Sequence, residues 1–237
     1  MDTQHSRTEM LIGKDAVLRL KKAKVIVFGV GGVGGYALEA IARAGVGDIT
    51  LVDSDKVSLS NINRQIIATH ESVGKYKCDV MRERILSINP EACVTVHNLF
   101  FSDDTKSLFD FSSYDYVVDA IDSLGSKIEL ISLAKESGTR IISAMGAGNK
   151  LDPTKFEVSD ISKTAVCPLA KAVRIALRKR GINHLKVVYS KEEPVTKNNI
   201  DEEGKRVPAS ISFVPSAMGL IIAGEVIKDL ISENQSK

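Results

Sequence analysis

A doubly wound, mostly parallel α/β sheet is the fold class that this sequence predicts, and three observations carry that expectation. Lys24-Val-Ile-Val-Phe-Gly29 is a short apolar run that ends in glycine and opens into Gly29-Val-Gly-Gly-Val-Gly34. Apolar residues then recur at helical spacing from Val33 to Ala44, and Ile49-Thr-Leu-Val-Asp53 follows as a second buried strand. Apolar strands and helical stretches go on alternating to about residue 148, the pattern of βαβ crossovers in a parallel sheet.

The remaining elements follow in order. Lys77 to Ile88 reads as a helix that stops at Asn89-Pro90, and Cys93 to His97 alternates like a strand. Tyr116-Val-Val-Asp-Ala120 is a third apolar strand, Ile128 to Ser137 a helix ended by Gly138, and Thr139 to Ala144 a further strand. Beyond residue 148 the texture changes. Cys167 to Arg180 predicts an amphipathic helix closed by Gly181, and Leu185 to Ser190 a strand. Lys191 to Pro208 reads as a long polar loop, Ser210 to Val214 as a strand, and Ser216 to about Ile231 as a final helix. The expected organisation is one domain over 1–237, with a nucleotide-binding core at 1–148 and an α+β elaboration of it at 149–237.

Composition narrows the class. At 237 residues, 43% hydrophobic and 26% charged, the chain can bury a core of ordinary globular type. A formal charge of +2 gives no global pull on nucleic acid, so such a partner would need a local basic patch. The N-terminus has no apolar signal region, and the apolar tract Ile211–Gly224 is interrupted by Ser212, Pro215 and Ser216, so no membrane association is expected. Cys78, Cys93 and Cys167 form no C-x-x-C pair, which suits a reducing, cytoplasmic setting and argues against structural zinc. The four histidines show no metal-ligand spacing. Cys167 and the other two cysteines read as packing residues.

The chemistry starts at the glycine loop. Gly29, Gly31, Gly32 and Gly34 let backbone approach an anion, and the helix N-terminus adds free N–H groups. Alone, this loop fits several nucleotide cofactors. Asp53, at the end of the second strand, is placed to accept from ribose hydroxyls, which still does not separate NAD from ATP. The separating segment is Asp53-Ser-Asp-Lys-Val-Ser-Leu-Ser-Asn-Ile-Asn-Arg-Gln65, followed by Lys77. Arg64 offers a bidentate fork and Lys77 a point charge, the means to neutralise a triphosphate. Asp122, just past a strand's carboxyl end, is a plausible Mg²⁺ ligand. Asp119 reads as a structural acid.

These motifs, the G-x-G-G-x-G loop, the D-x-D-x-V-x-x-S-N-x-N-R-Q segment and the downstream lysine, resemble the ubiquitin-activating-enzyme-like superfamily of adenylating enzymes. The resemblance implies a nucleotide held by Gly32, Asp53 and Asp55, phosphates held by Ser60, Asn61, Asn63, Arg64 and Lys77, and Mg²⁺ at Asp122. It also matches Arg7 to an arginine that members contribute across a homodimer. Ser143-Ala-Met-Gly-Ala-Gly148, Leu151-Asp-Pro-Thr154, Val158 to Thr164 and Pro168-Leu-Ala170 look like the tRNA threonylcarbamoyladenosine dehydratase branch. That branch uses ATP to cyclise a threonylcarbamoyl group on the adenosine beside the anticodon; some relatives work alongside a cysteine desulfurase system. A basic stripe, Lys171, Arg174 and Arg178, is the expected tRNA contact, against the alternative of a solvated helix face. The other readings are an adenylyltransferase for a ubiquitin-like sulfur carrier, disfavoured by the missing zinc cysteines, and a nucleotide-binding module without turnover. A nicotinamide oxidoreductase is the weakest.

Overall fold

The structure, a computed structural model, describes residues 3–196, 200 and 207–232. Two N-terminal helices, α1 (Ser6–Ile12) and α2 (Lys14–Lys22), precede the sheet. The strands are β1 (Lys24–Phe28), β2 (Asp48–Val52), β3 (Cys93–His97), β4 (Tyr116–Asp119), β5 (Arg140–Ala144), β6 (Phe156–Asp160) and β7 (Lys186–Ser190). They lie in the order β3-β2-β1-β4-β5-β7-β6, parallel throughout except for the β6–β7 pair. The chain runs outward from β1 to β2 and β3, then returns to place β4 on the other flank of β1. The crevice above the β1–β4 junction is therefore a topological switch point, where open α/β sheets bind ligands.

Helices cover both faces. On one lie α2, α3 (Gly34–Ala44), α4 (Lys77–Ile88) and α7 (Phe213–Ile231), packed through Leu20, Leu38, Ile41, Met81, Met218 and Ile222. On the other lie α5 (Leu124–Glu136) and α6 (Pro168–Lys179), packed through Ile128, Ile131, Val173 and Leu177 onto Phe28 and Val187. The segment after residue 148 thus extends the same sheet through β7 and β6, and α7 shares a core with α3.

Several expectations are corrected. Ser210–Val214 forms no strand; α7 begins at Phe213, with Pro215 at its third residue. A proline there removes an N–H that has no intrahelical acceptor anyway, so a first turn tolerates it. The antiparallel edge strand β6 and the helices α1 and α2 were not anticipated, and α5 starts four residues early, at Leu124. Cys93 is exposed rather than buried, because it begins the edge strand β3. Of the expected Lys191–Pro208 loop, 197–199 and 201–206 lie outside the described residues. In its first part the buried Glu192 carboxylate accepts from the Leu151 and Asp152 N–H groups at 2.9 and 3.0 Å. No helix among the described residues is long and apolar enough to cross a membrane.

Candidate active site

A cavity of about 800 Å³ opens at the switch point. Its walls are the carboxyl-end exits of β1, β2, β4 and β5, closed by Leu99 and Phe100 on one side and by Cys167, Pro168, Pro208 and Pro215 on the other. The glycine loop forms its floor, and the glycines divide into two kinds. Gly29 takes φ +90°, and a Cβ on it would lie 2.5 Å from the Ala120 carbonyl; one on Gly34 would lie 1.8 Å from the Gly29 carbonyl. Those two close the turn against its own scaffold. Gly31 and Gly32 line the cavity instead.

Asp53 holds the loop in place. Its Oδ2 accepts from Val30 N at 2.7 Å and its Oδ1 from Asp55 N at 2.8 Å. Burial pushes this carboxyl above the usual range, an effect opposed by the Lys77 charge and by the two N–H donors. The expected ribose acceptor is thus also the residue that shapes the phosphate loop.

Two cations, Lys77 and Arg64, line the same cavity. Lys77, the first residue of α4, is buried and sends Nζ to Asp55 Oδ2 at 2.6 Å. Arg64 is half-buried, which lowers its pKa, and its Nη1 donates to Ser60 O at 3.0 Å and Asn63 Oδ1 at 2.8 Å. Its Nε and Nη2 make no hydrogen bond among the described residues and remain available. Asn61 is buried and caps a short 3₁₀ turn through Oδ1, which accepts from Ser58 N at 3.2 Å. Asp122, exposed between β4 and α5, lines the cavity as well.

Gly29, Gly31, Gly32, Asp53, Asp55, Asn61, Arg64, Lys77 and Asp122 therefore meet in one cavity. Gly34, Ser60 and Asn63 support it from behind; Asn63 Nδ2 donates to Ser210 O at 3.0 Å, tying the loop to the segment before α7. Arg7 lies exposed on α1, outside the cavity wall. The basic stripe divides too. Lys171 and Arg178 are exposed, without an ion pair among the described residues, whereas Arg174 Nη1 donates to Thr164 O and Oγ1 at 2.9 and 2.6 Å. That arginine anchors the turn before α6.

Sequence reasoning passed over two residues. Gln65 is buried beside Gly31, lines the cavity, and its Oε1 has no hydrogen-bond partner among the described residues. Lys127 is fully buried in α5. Its signal was present: it shares a helical stripe with Ile131 and Ala134, and a lysine on an apolar stripe demands a buried partner. Among the described residues no group of three or more His, Cys, Asp or Glu side chains is arranged to hold a metal ion. Asp122, a single carboxylate on the cavity wall, fits Mg²⁺ chemically, since that ion commonly takes one or two carboxylates and completes its shell with phosphate and water.

Comparison with known proteins bears on the family and the fold. The ThiF family model matches residues 5–237. The tRNA threonylcarbamoyladenosine dehydratase of Bacillus subtilis is 43% identical over 99% of this chain and 97% of its own. The crystal structure of the Escherichia coli tRNA N6-threonylcarbamoyladenosine dehydratase in complex with ATP superposes with a TM-score of 0.88 at 34% identity, covering 97% of this chain and 94% of that one. An adenylyltransferase and sulfurtransferase of Vanderwaltozyma polyspora is 37% identical, but over 58% of this chain and 31% of its own. With a sheet, a switch-point cavity and a near-full-length match in common, the chain belongs to the ThiF family, in its tRNA threonylcarbamoyladenosine dehydratase branch.

Proposed function

We propose that this chain is an ATP-dependent enzyme that cyclises the threonylcarbamoyl group on a tRNA adenosine next to the anticodon. The carrying observation is the meeting of Arg64, Lys77 and Asp122 around a glycine loop in one cavity. A carboxylate is ionised at neutral pH, so its attack on the α-phosphorus of ATP needs no general base. It needs in-line placement and positive charge for the departing pyrophosphate. The free edge of Arg64 and the ammonium of Lys77 supply the charge, Gly31 and Gly32 let backbone come close, and Asp53 keeps the loop in shape. Mg²⁺ held at Asp122 adds charge neutralisation when bound. An internal nucleophile of the same group then displaces AMP, closing a five-membered ring with net loss of one water.

Residues 1–237 act in this reading as one adenylating domain, the first 148 binding ATP and the rest facing the tRNA through Lys171 and Arg178, with Arg174 shaping the turn beneath them. A homodimer suits α1, which buries none of its own residues and leaves Met10 and Leu11 more than four-fifths exposed beside Arg7. Three free cysteines suit the cytoplasm. A cysteine desulfurase system is a partner to test; no sulfur moves in the reaction itself.

The test uses substrate labelled with ¹⁸O in the threonyl carboxylate, together with ATP and Mg²⁺. Pyrophosphate release, loss of water from the nucleoside, and one label transferred to AMP are expected, because the oxygen that bonded phosphorus leaves with it. Unlabelled AMP, or pyrophosphate released only with a sulfur-carrier protein, would sink the reading.

A further inference from the structure

Beneath the cavity lies a charge pair that the reaction described above does not use. Lys127 in α5 and Asp119 at the end of β4 are both wholly excluded from solvent, with Nζ 2.8 Å from Oδ2. Ser143 Oγ, in β5, donates to the same Oδ2 at 2.5 Å. Lys127 Nζ also lies 3.3 Å from Ser143 Oγ and donates to the Ala144 carbonyl at 3.0 Å. The remaining oxygen, Asp119 Oδ1, accepts from Ile121 N at 3.2 Å.

The surroundings make this choice of residues costly. Ile128, Leu130, Ile131 and Ile141 belong to the same apolar layer. Replacing a buried ion pair by well-packed apolar side chains is often neutral or stabilising, so stability alone is a weak reason to keep one here. Its bonds are directional, and they end on two strand exits. Ile121 N–H, held by Asp119, immediately precedes Asp122. The Ala144 carbonyl, held by Lys127, immediately precedes Met145–Gly148, which line the same cavity at the exit of the neighbouring strand β5. One residue before Lys127, Ser126 Oγ donates to Phe101 O at 2.8 Å and ties α5 to a third wall.

We propose that Asp119, Lys127 and Ser143 form a positioning group that fixes Asp122 relative to the Met145–Gly148 wall, and so aligns the reacting groups bound between them. None of the three is placed to touch substrate; their action is through the two loops they hold. The proposal rests on the adenylation reading for its kinetic consequences, while its geometric content stands independently.

The test compares wild type with Ser143→Ala and with the paired variant Lys127→Met/Asp119→Asn, which removes both charges together. Thermal unfolding, nucleotide binding, Mg²⁺ dependence of pyrophosphate release with threonylcarbamoylated tRNA, and amide exchange are measured on each. The paired variant is expected to keep its melting transition and its ATP affinity within about threefold, while kcat falls about 100-fold. Half-saturation should require more Mg²⁺, and the amides of 121–123 and 145–148 should exchange faster. Ser143→Ala should show the same pattern with a fall of about tenfold. Retention of kcat by a folded paired variant, or of both kcat and loop protection by Ser143→Ala if the pair does not fold, would overturn the proposal. Wild type without turnover would refute the adenylation reading instead, and the exchange measurement would still decide the positioning role.

Discussion

Two lysine–aspartate pairs flank the cavity, chemically alike and physically opposite. Lys77 and Asp55 meet at 2.6 Å with the lysine side chain 7% exposed and the aspartate 65% exposed. Lys127 and Asp119 meet at 2.8 Å with neither exposed at all. An aspartate in water gives up little when its partner turns elsewhere, so the open pair is exchangeable, and an incoming phosphate can take Asp55's place on Lys77. The closed pair has only neutral hydrogen-bond partners besides itself, among them Ser143 Oγ, the Ala144 carbonyl and Ile121 N. Removing one ion leaves the other's charge uncompensated in an apolar layer. One pair can take part in binding, while the other can only hold shape.

The largest effect expected from this contrast is on stability. Lys127→Met alone should cost about 3–5 kcal/mol in denaturant unfolding, since Asp119 is left buried and unpaired, whereas Lys77→Met should cost less than about 1 kcal/mol because Asp55 already faces water. Equal costs for the two would erase the distinction. Next comes rate. Lys77→Met should lower pyrophosphate release about 10²–10³-fold in a protein of near-normal stability, the loss typical of a single charge-stabilising donor. A near wild-type rate would remove Lys77 from the phosphate site.

A smaller effect should appear on the RNA side. Lys171→Ala and Arg178→Ala should each reduce the salt slope of tRNA binding by about 1 if each meets a phosphate, with ATP binding untouched. An unaltered slope returns the stripe to an ordinary solvated face. The smallest is titration of Asp53. Burial raises this carboxyl in the fold, so the native state binds its proton more tightly than the unfolded chain does. Its contribution to stability therefore grows as pH falls through the raised value toward the usual carboxylate range, and is lost as pH rises again. Subtracting the profile of Asp53→Asn from that of wild type in urea titrations should isolate this slope, with wild type gaining on acidification. A slope of opposite sign would mean that the Val30 and Asp55 N–H bonds outweigh desolvation.

Much of this could be read from local pattern. The β1–α3–β2 unit, α4, β3, β4 and β5 announce themselves by apolar periodicity and by stops such as Asn89-Pro90 and Gly138. The residues proposed to face phosphate stand out because they are crowded into 53–65 and joined by Lys77. What was hidden depended on distance along the chain. β6 lacks a continuous apolar run, since beyond Phe156 its residues are only half-buried or exposed. Pro215 disguised the start of α7, since only the helix register tells a first-turn proline from a helix breaker. The role of Arg174 turned on where Thr164 lies, ten residues earlier and across a turn.

By itself the sequence determined most of the strands and the identity of the groups proposed to meet phosphate, because periodicity and backbone sterics are properties of neighbours in the chain. The strand order and its switch point came from the tertiary structure. Tertiary structure alone decided which of those groups are free to act. Asp53 is spent partly on the loop, Arg174 on a turn and Lys127 on Asp119, whereas Arg64 and Asp122 face the cavity. The reason is that burial and hydrogen-bond partnership arise between segments far apart in sequence, and they decide whether a charge is scaffold or reagent.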